Sequence, residues 1–343
     1  MIRRLFLVGV IATVFVVATG SPAWADPAVP TNYRSRVTDM DPRPDGLAIQ
    51  VTGGDAFLVA AVAPGHALEV PGYFGEPYLR FDPDGAVWRN ERSPARHINV
   101  ARYGVTIPPQ ADATAPPEWI RVAGDGRYAW HDHRTHWMSR DLPPTISGDR
   151  AQLIFPWEFP VAFDAAEVLV HGELVWFPSE NPVGPLFLGL LGLVPLAWWH
   201  RDRTVLLAAH LAALGAVALF VATMQFAATP VDRGMPIDLV LPGSAVLLAL
   251  GSLTLGRSPL RAVAARLLAA SALVIWGWFA VATLTAPVLP STLAPAVERT
   301  LVAMVLVSGA VLGILQLWGL RTATADEPPT DSSAPTVAQT AGR

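Results

Sequence analysis

The sequence contains no cysteine and no lysine, and both absences narrow the chemistry open to this protein. Without cysteine the chain can form no disulfide, offer no thiolate to a metal ion and use no thiol as a nucleophile. Any metal site must therefore be built from histidine, methionine, aspartate or glutamate. All 24 basic residues are arginine, the net charge is −4, and no basic patch with interleaved aromatic residues occurs, so a nucleic-acid partner is not predicted.

Charged residues are also scarce, at 15% of the 343 residues, whereas 52% are hydrophobic. This composition is too apolar for an ordinary soluble protein of this length, and the apolar excess lies almost entirely after residue 183. A helix needs about 20 apolar residues to cross the hydrocarbon core of a lipid bilayer. The sequence predicts five transmembrane helices within residues 184–320, at 184–199, 204–226, 237–255, 264–286 and 300–320.

The N-terminus has the pattern of a signal peptide. Arg3 and Arg4 precede an apolar run, and Ala23-Trp24-Ala25 places small residues at the two positions that signal peptidase reads. We expect cleavage of residues 1–25 before Asp26; the alternative is an uncleaved first membrane helix.

Arginine in the short loops predicts the orientation, because positively charged loops stay in the cytoplasm. The loops after the first, third and fifth predicted helices carry Arg201, Arg203, Arg257, Arg261 and Arg321. The sequence therefore predicts a multi-pass plasma-membrane protein with its mature N-terminus outside and its C-terminus in the cytoplasm. Residues 321–343, rich in Ala, Thr, Pro and Ser, are predicted to be a disordered cytoplasmic tail.

Residues 26–183 are predicted to form an extracytoplasmic all-β domain, sandwich-like and antiparallel, with a β-barrel as the alternative. Strand patterns occur at 46–51, 56–63, 152–159 and 167–177, and the sequences "TGGD" and "DPDG" are typical of turns. No convincing amphipathic helix separates these strands, and turns recur at short intervals.

The stretch "WHDHRTHWM", residues 130–138, contains three of the eight histidines in the chain. Neutral imidazole suits copper and zinc, and a thioether selects copper, Cu(I) above all. The predicted metal ligands are therefore His131, His133, His136 and Met138, with copper as the predicted ion. In a strand, His131 and His133 would project to one face.

Two other interpretations of this stretch are open at the level of sequence. In the structural one, Trp130 and Trp137 anchor a loop in the core, Asp132 pairs with Arg134 or a more distant arginine, and the histidines bind backbone carbonyls. In the catalytic one the histidines are acid/base groups. The sequence contains no nucleophile elbow, phosphate loop or HExxH helix, so no catalytic residue is predicted.

At "GEPYLRF", "RYGVTIPP", "APPEWIRV" and "WHDHRTHWM" the chain resembles a family of uncharacterised actinobacterial membrane proteins. The resemblance covers most of residues 30–320 and implies a signal peptide, an extracytoplasmic domain and a C-terminal helix bundle. The architecture is also similar to bacterial copper-handling proteins in which a β-sandwich precedes membrane helices. The N-terminal histidine of those sandwiches has no counterpart here, because Asp26 begins the predicted mature chain.

These observations lead to two functional hypotheses. In the first, an integral plasma-membrane protein binds a ligand or metal, copper for example, through its extracytoplasmic domain. In the second, the protein is a membrane scaffold or assembly partner that recognises another envelope protein through the β-rich domain. An enzyme is the less favoured alternative.

Overall fold

The computed structural model describes residues 28–100, 102–103, 106–198, 203–230, 237–255 and 258–325. Within them, ten strands and one short helix precede a helical region. The predicted signal peptide and the end of the predicted tail lie outside the described residues. The strands are β1 (Tyr33–Asp41), β2 (Leu47–Thr52), β3 (Phe57–Val62), β4 (Leu68–Pro71), β5 (Pro77–Phe81), β6 (Val87–Asn90), β7 (Trp119–Ala123), β8 (Arg127–Trp130), β9 (Gln152–Phe163) and β10 (Ala166–Trp176).

The helices are α1 (Pro94–Ile98), α2 (Val183–Gly189), α3 (Arg203–Ala228), α4 (Ile237–Thr254), α5 (Pro259–Phe279) and α6 (Pro295–Ala325). Two 3-10 helices, Leu190–Trp198 and Val281–Leu284, follow α2 and α5. The last helix continues to Ala325, into the segment predicted to be disordered.

The strands form two antiparallel sheets, which confirms the prediction of an antiparallel β-rich region. One sheet has seven strands in the order β1-β10-β9-β4-β5-β6-β7, and the other has three in the order β2-β3-β8. Strand β9 shows why such a segment of the sequence forms a strand at the edge of the core. Every second residue from Trp157 to Phe163 is buried, as expected when side chains alternate between a core face and a solvent face.

Both sheets contribute to one buried apolar cluster. Leu58 and Ala60 come from the three-stranded sheet, whereas Leu79, Phe81 and Phe159 come from the seven-stranded sheet. Burial of these side chains is the main favourable term that holds the two sheets together. Whether their geometry is that of a sandwich stays a prediction.

The prediction of five transmembrane helices is not supported. Within the described residues three helices are long and apolar enough to cross a membrane: Arg203–Ala228, Pro259–Phe279 and Pro295–Trp318. The other two predicted helices are present as shorter apolar helices, Val183–Ala197 and Asp238–Thr254. Pro195 lies inside the first and Pro242 inside the second. Proline lacks the backbone N–H that an uninterrupted α-helix requires, and the first segment changes to 3-10 geometry after Gly189.

The loop before α6 joins the helical region to the β-rich region. Thr31 and Val288 exchange two backbone hydrogen bonds, with N···O distances of 3.0 and 3.1 Å. The backbone N–H of Glu180 donates to the carbonyl of Thr285 at 2.7 Å. These contacts join the loop before α6 to the β-rich region, so the end of the helical region at which α6 begins is called the proximal end below.

Candidate functional site

The histidine-rich stretch leaves the sheet at its first residue. Trp130 is the last residue of β8 and pairs with Leu58 of β3, and the segment that follows is irregular. The strand alternation that would align His131 with His133 therefore does not apply.

Asp132 holds the segment together through buried hydrogen bonds. Its side chain is completely buried. Its Oδ1 accepts a hydrogen bond from Arg134 Nε at 2.8 Å, and its Oδ2 accepts from Arg134 Nη2 at 2.6 Å and from Trp130 Nε1 at 3.0 Å. Burial raises the pKa of Asp132, but the charge and hydrogen bonds of Arg134 outweigh burial and hold that pKa below its usual range. The predicted pairing of Asp132 with Arg134 is confirmed.

Arg134 in turn fixes the segment to the large sheet. Its guanidinium lies over the ring of Phe159, 4.4 Å from the centroid, and 5.3 Å from that of Tyr73. The Tyr73 hydroxyl accepts a hydrogen bond from the backbone N–H of His133 at 2.8 Å and donates to Asn99 Oδ1 at 2.5 Å. The tyrosine thus joins the segment to the end of α1.

A cavity of about 250 Å³ lies beside this fixed segment. Two of the predicted ligands, His131 and His136, line it together with the turn between β2 and β3 and residues of a distant loop. The lining residues are Val29, Gly53, Asp55, Ala56, Arg102, Tyr103, His131 and His136.

Both cavity histidines are buried, with 5% of His131 and 2% of His136 exposed. The ring of His131 packs against Phe57 at a centroid distance of 4.3 Å. His136 Nδ1 lies 3.4 Å from the carbonyl oxygen of Trp137, and His136 Nε2 is buried with no hydrogen-bond partner among the described residues. In the tautomer whose Nδ1–H donates to this carbonyl, Nε2 offers a lone pair. Metal-binding histidines commonly have the same arrangement.

The charge state of His136 suits a ligand role. Burial, helped by the nearby positive charge of Arg102, lowers the pKa of His136 to about 3. The imidazole is therefore neutral at neutral pH, which is the form that binds a metal ion.

Asp55 and Arg102 form an ion pair in the cavity wall. Arg102 Nη1 donates to Asp55 Oδ1 at 3.1 Å, and a second contact joins Nη2 to Oδ2. Asp55 is buried, and its negative charge balances that of the arginine beside His136. Neither residue was predicted from the sequence. Asp55 belongs to the "TGGD" turn, and nothing in its spacing indicates an arginine 47 positions later.

The other two predicted ligands lie outside the cavity lining. The ring of His133 is 5.0 Å from that of His136, centroid to centroid, whereas Met138 is 42% exposed. Within the described part of the chain, no group of three or more His, Asp or Glu side chains is arranged to hold a metal ion. Two of the four predicted ligands, His131 and His136, thus line the cavity, and His133 lies next to His136 outside that lining.

No family model, curated protein or solved structure matches this chain. The resemblance to actinobacterial membrane proteins with a "WHDHRxHWM" motif stays a prediction.

The burial of neutral His136 predicts a loss of stability in acid. The pKa of this imidazole is about 6.5 in the unfolded chain and about 3 in the folded one. Between these values the unfolded state binds the additional proton, so stability falls as pH falls. The metal-free protein should lose about 2 kcal/mol from this group by about pH 5, at roughly 1.4 kcal/mol per pH unit. His136→Gln should flatten the pH dependence of thermal unfolding over this range; an unchanged pH dependence would contradict the assignment.

Proposed function

We propose that this protein is a membrane-anchored metal-binding protein of the cell envelope. In this proposal the β-rich region lies outside the cytoplasm and holds one copper ion between His131 and His136. The observation that carries the proposal is the buried His136 Nε2, which has no hydrogen-bond partner among the described residues and belongs to a side chain that lines a cavity with a second imidazole.

The orientation of the helices is part of the proposal. The loop before α6 contacts the β-rich region through Val288 and Thr31. Arg266 lies toward the other end, where its Nε donates to Gln316 Oε1 at 3.0 Å. Arginine is enriched on the cytoplasmic side of membrane proteins, which supports an extracytoplasmic β-rich region and a cytoplasmic end of α6. The exposed Trp278 and Trp318 lie near opposite ends of the bundle, as is typical of residues at membrane interfaces.

The ligand chemistry favours copper over harder ions. Neutral imidazoles suit copper and zinc, whereas Ca²⁺ and Mg²⁺ require several oxygen ligands. Structural zinc is almost always four-coordinate, and two histidines supply only half of that set. Cu(I) can be bound by two nitrogen ligands. The Asp55–Arg102 pair beside the histidines has no net charge, so it does not repel the ion. We therefore propose Cu(I) as the form that is bound.

Copper binding by the full-length protein in detergent tests the proposal. Titration of a chromophoric Cu(I) chelator should show about one ion per chain. His131→Ala and His136→Ala should each weaken binding by at least about tenfold, since each removes one ligand.

His171→Ala is the matched control, because His171 lies on β10 and is absent from the cavity lining. His133→Ala and Met138→Leu separate this site from the four-ligand hypothesis and should leave the affinity unchanged. A wild-type protein without stoichiometric copper would contradict the proposal, as would unchanged binding by His136→Ala in a protein that still unfolds cooperatively.

A further inference from the structure

A buried carboxyl group lies between α3 and α6 at the proximal end of the helical region. Pro295 to Val297, at the start of α6, are exposed, but Glu298 in the same turn has 0% of its surface exposed. The neighbouring part of the bundle is apolar and includes Val302 and Leu284. Ionisable residues inside apolar helix bundles are costly and usually serve a function.

Glu298 has one neutral hydrogen-bond partner. Gln225 Nε2, in the last turns of α3, donates to Glu298 Oε1 at 2.7 Å. Glu298 Oε2 is buried and has no hydrogen-bond partner among the described residues, where the carboxyl also makes no ion pair. The neighbouring Arg299 is directed elsewhere: its Nη2 donates to the carbonyl of Ala286 at 2.7 Å and lies 4.0 Å from Glu180 Oε1.

The need to neutralise the charge of Glu298 determines which ion this carboxyl group can bind. A carboxylate in apolar surroundings with only an amide as partner is strongly destabilised, and its charge must be balanced. A metal cation would need several oxygen ligands, whereas Gln225 presents its amide nitrogen. A proton, in contrast, binds to the carboxyl group without any further ligand.

We propose that Glu298 is a proton-binding site at the proximal end of the helix bundle, where its neutral carboxyl joins α3 to α6 through Gln225. The exposed first residues of α6 lie less than one helical turn away and provide the route for proton exchange. This site is separate from the two-histidine cavity, and the proposal does not depend on copper binding.

Labelling with the apolar reagent dicyclohexylcarbodiimide tests the proposal on the full-length chain in membranes. The protonated carboxyl adds across one C=N bond of the reagent, and the product rearranges to a stable N-acylurea without loss of atoms. Mass spectrometry should locate the label on Glu298 in mildly acidic buffer. The label should be weaker in alkaline buffer, because the reaction consumes the carboxyl proton.

Glu298→Gln should remove the label, whereas the matched control Glu180→Gln should keep it, because Glu180 lies at the same end of the bundle but is about half exposed. The label is also measured on the Glu298-containing peptide of the wild-type protein, so the test does not depend on how well a variant folds.

Three results would overturn the proposal. An unlabelled Glu298 at every pH would show that no reactive neutral carboxyl exists there. Protection by sodium or potassium ions, compared with choline, would identify a metal-cation site instead. Labelling that appears only in Arg233→Gln would show that this arginine, which lies outside the described residues, neutralises the carboxylate.

Discussion

Replacement of Asp132 by asparagine is expected to destabilise the protein by about 3 to 5 kcal/mol, the typical cost of breaking a buried ion pair. The carboxylate is fully buried and accepts hydrogen bonds from Arg134 and Trp130. Its removal leaves the Arg134 guanidinium, packed against Phe159 and Tyr73, without its balancing charge. Thermal unfolding of the full-length protein in detergent measures this loss.

Asp141→Asn is the matched control, because Asp141 is an exposed residue of the same irregular segment. Its substitution should change stability by no more than about 0.5 kcal/mol. Equal effects of the two substitutions would show that the Asp132–Arg134 pair does not stabilise the fold. A loss of copper binding in Asp132→Asn alone would show that the pair also positions His131 and His136.

Replacement of Gly172 by alanine should also cost about 1 to 3 kcal/mol, through overpacking of the β-sheet core. Gly172 in β10 is directly opposite Trp157 in β9. A Cβ atom at residue 172 would overlap the Trp157 indole ring, which is buried and held by a 2.9 Å hydrogen bond from its Nε1 to Ser35 Oγ. The ring can move only by breaking that bond or displacing neighbours in a close-packed core.

Gly184→Ala is the control for this substitution, because a Cβ at residue 184 meets nothing within 4 Å. The double variant Gly172→Ala/Trp157→Phe should lose less stability than the sum of the two single variants, since the smaller ring makes room for the methyl group. Additive losses would show that the steric conflict is relieved elsewhere in the sheet.

Local pattern was sufficient to predict much of the architecture. The alternation of buried and exposed residues in β9 and the apolar runs of α3, α5 and α6 depend on spacing within one element, so they are visible in the sequence. The prediction of five membrane helices is not supported, because two of the five apolar segments form shorter helices within the described residues. Pro195 and Pro242 lie inside these two helices, and apolar composition alone does not determine where a helix ends.

The sequence by itself determined the absence of thiol chemistry, the order of a β-rich region followed by apolar helices, and the position of the histidine-rich segment. It left open whether Asp132 pairs with Arg134 or with a more distant arginine, and the structure shows the pair with Arg134. Only the tertiary structure decided which histidines share a cavity and placed Asp55 and Arg102 beside them. The same is true of Gln225 and Glu298, which are 73 residues apart in the chain and form one hydrogen-bonded pair. Periodicity reports the environment along one strand or helix, whereas contacts across long loops depend on how the elements pack.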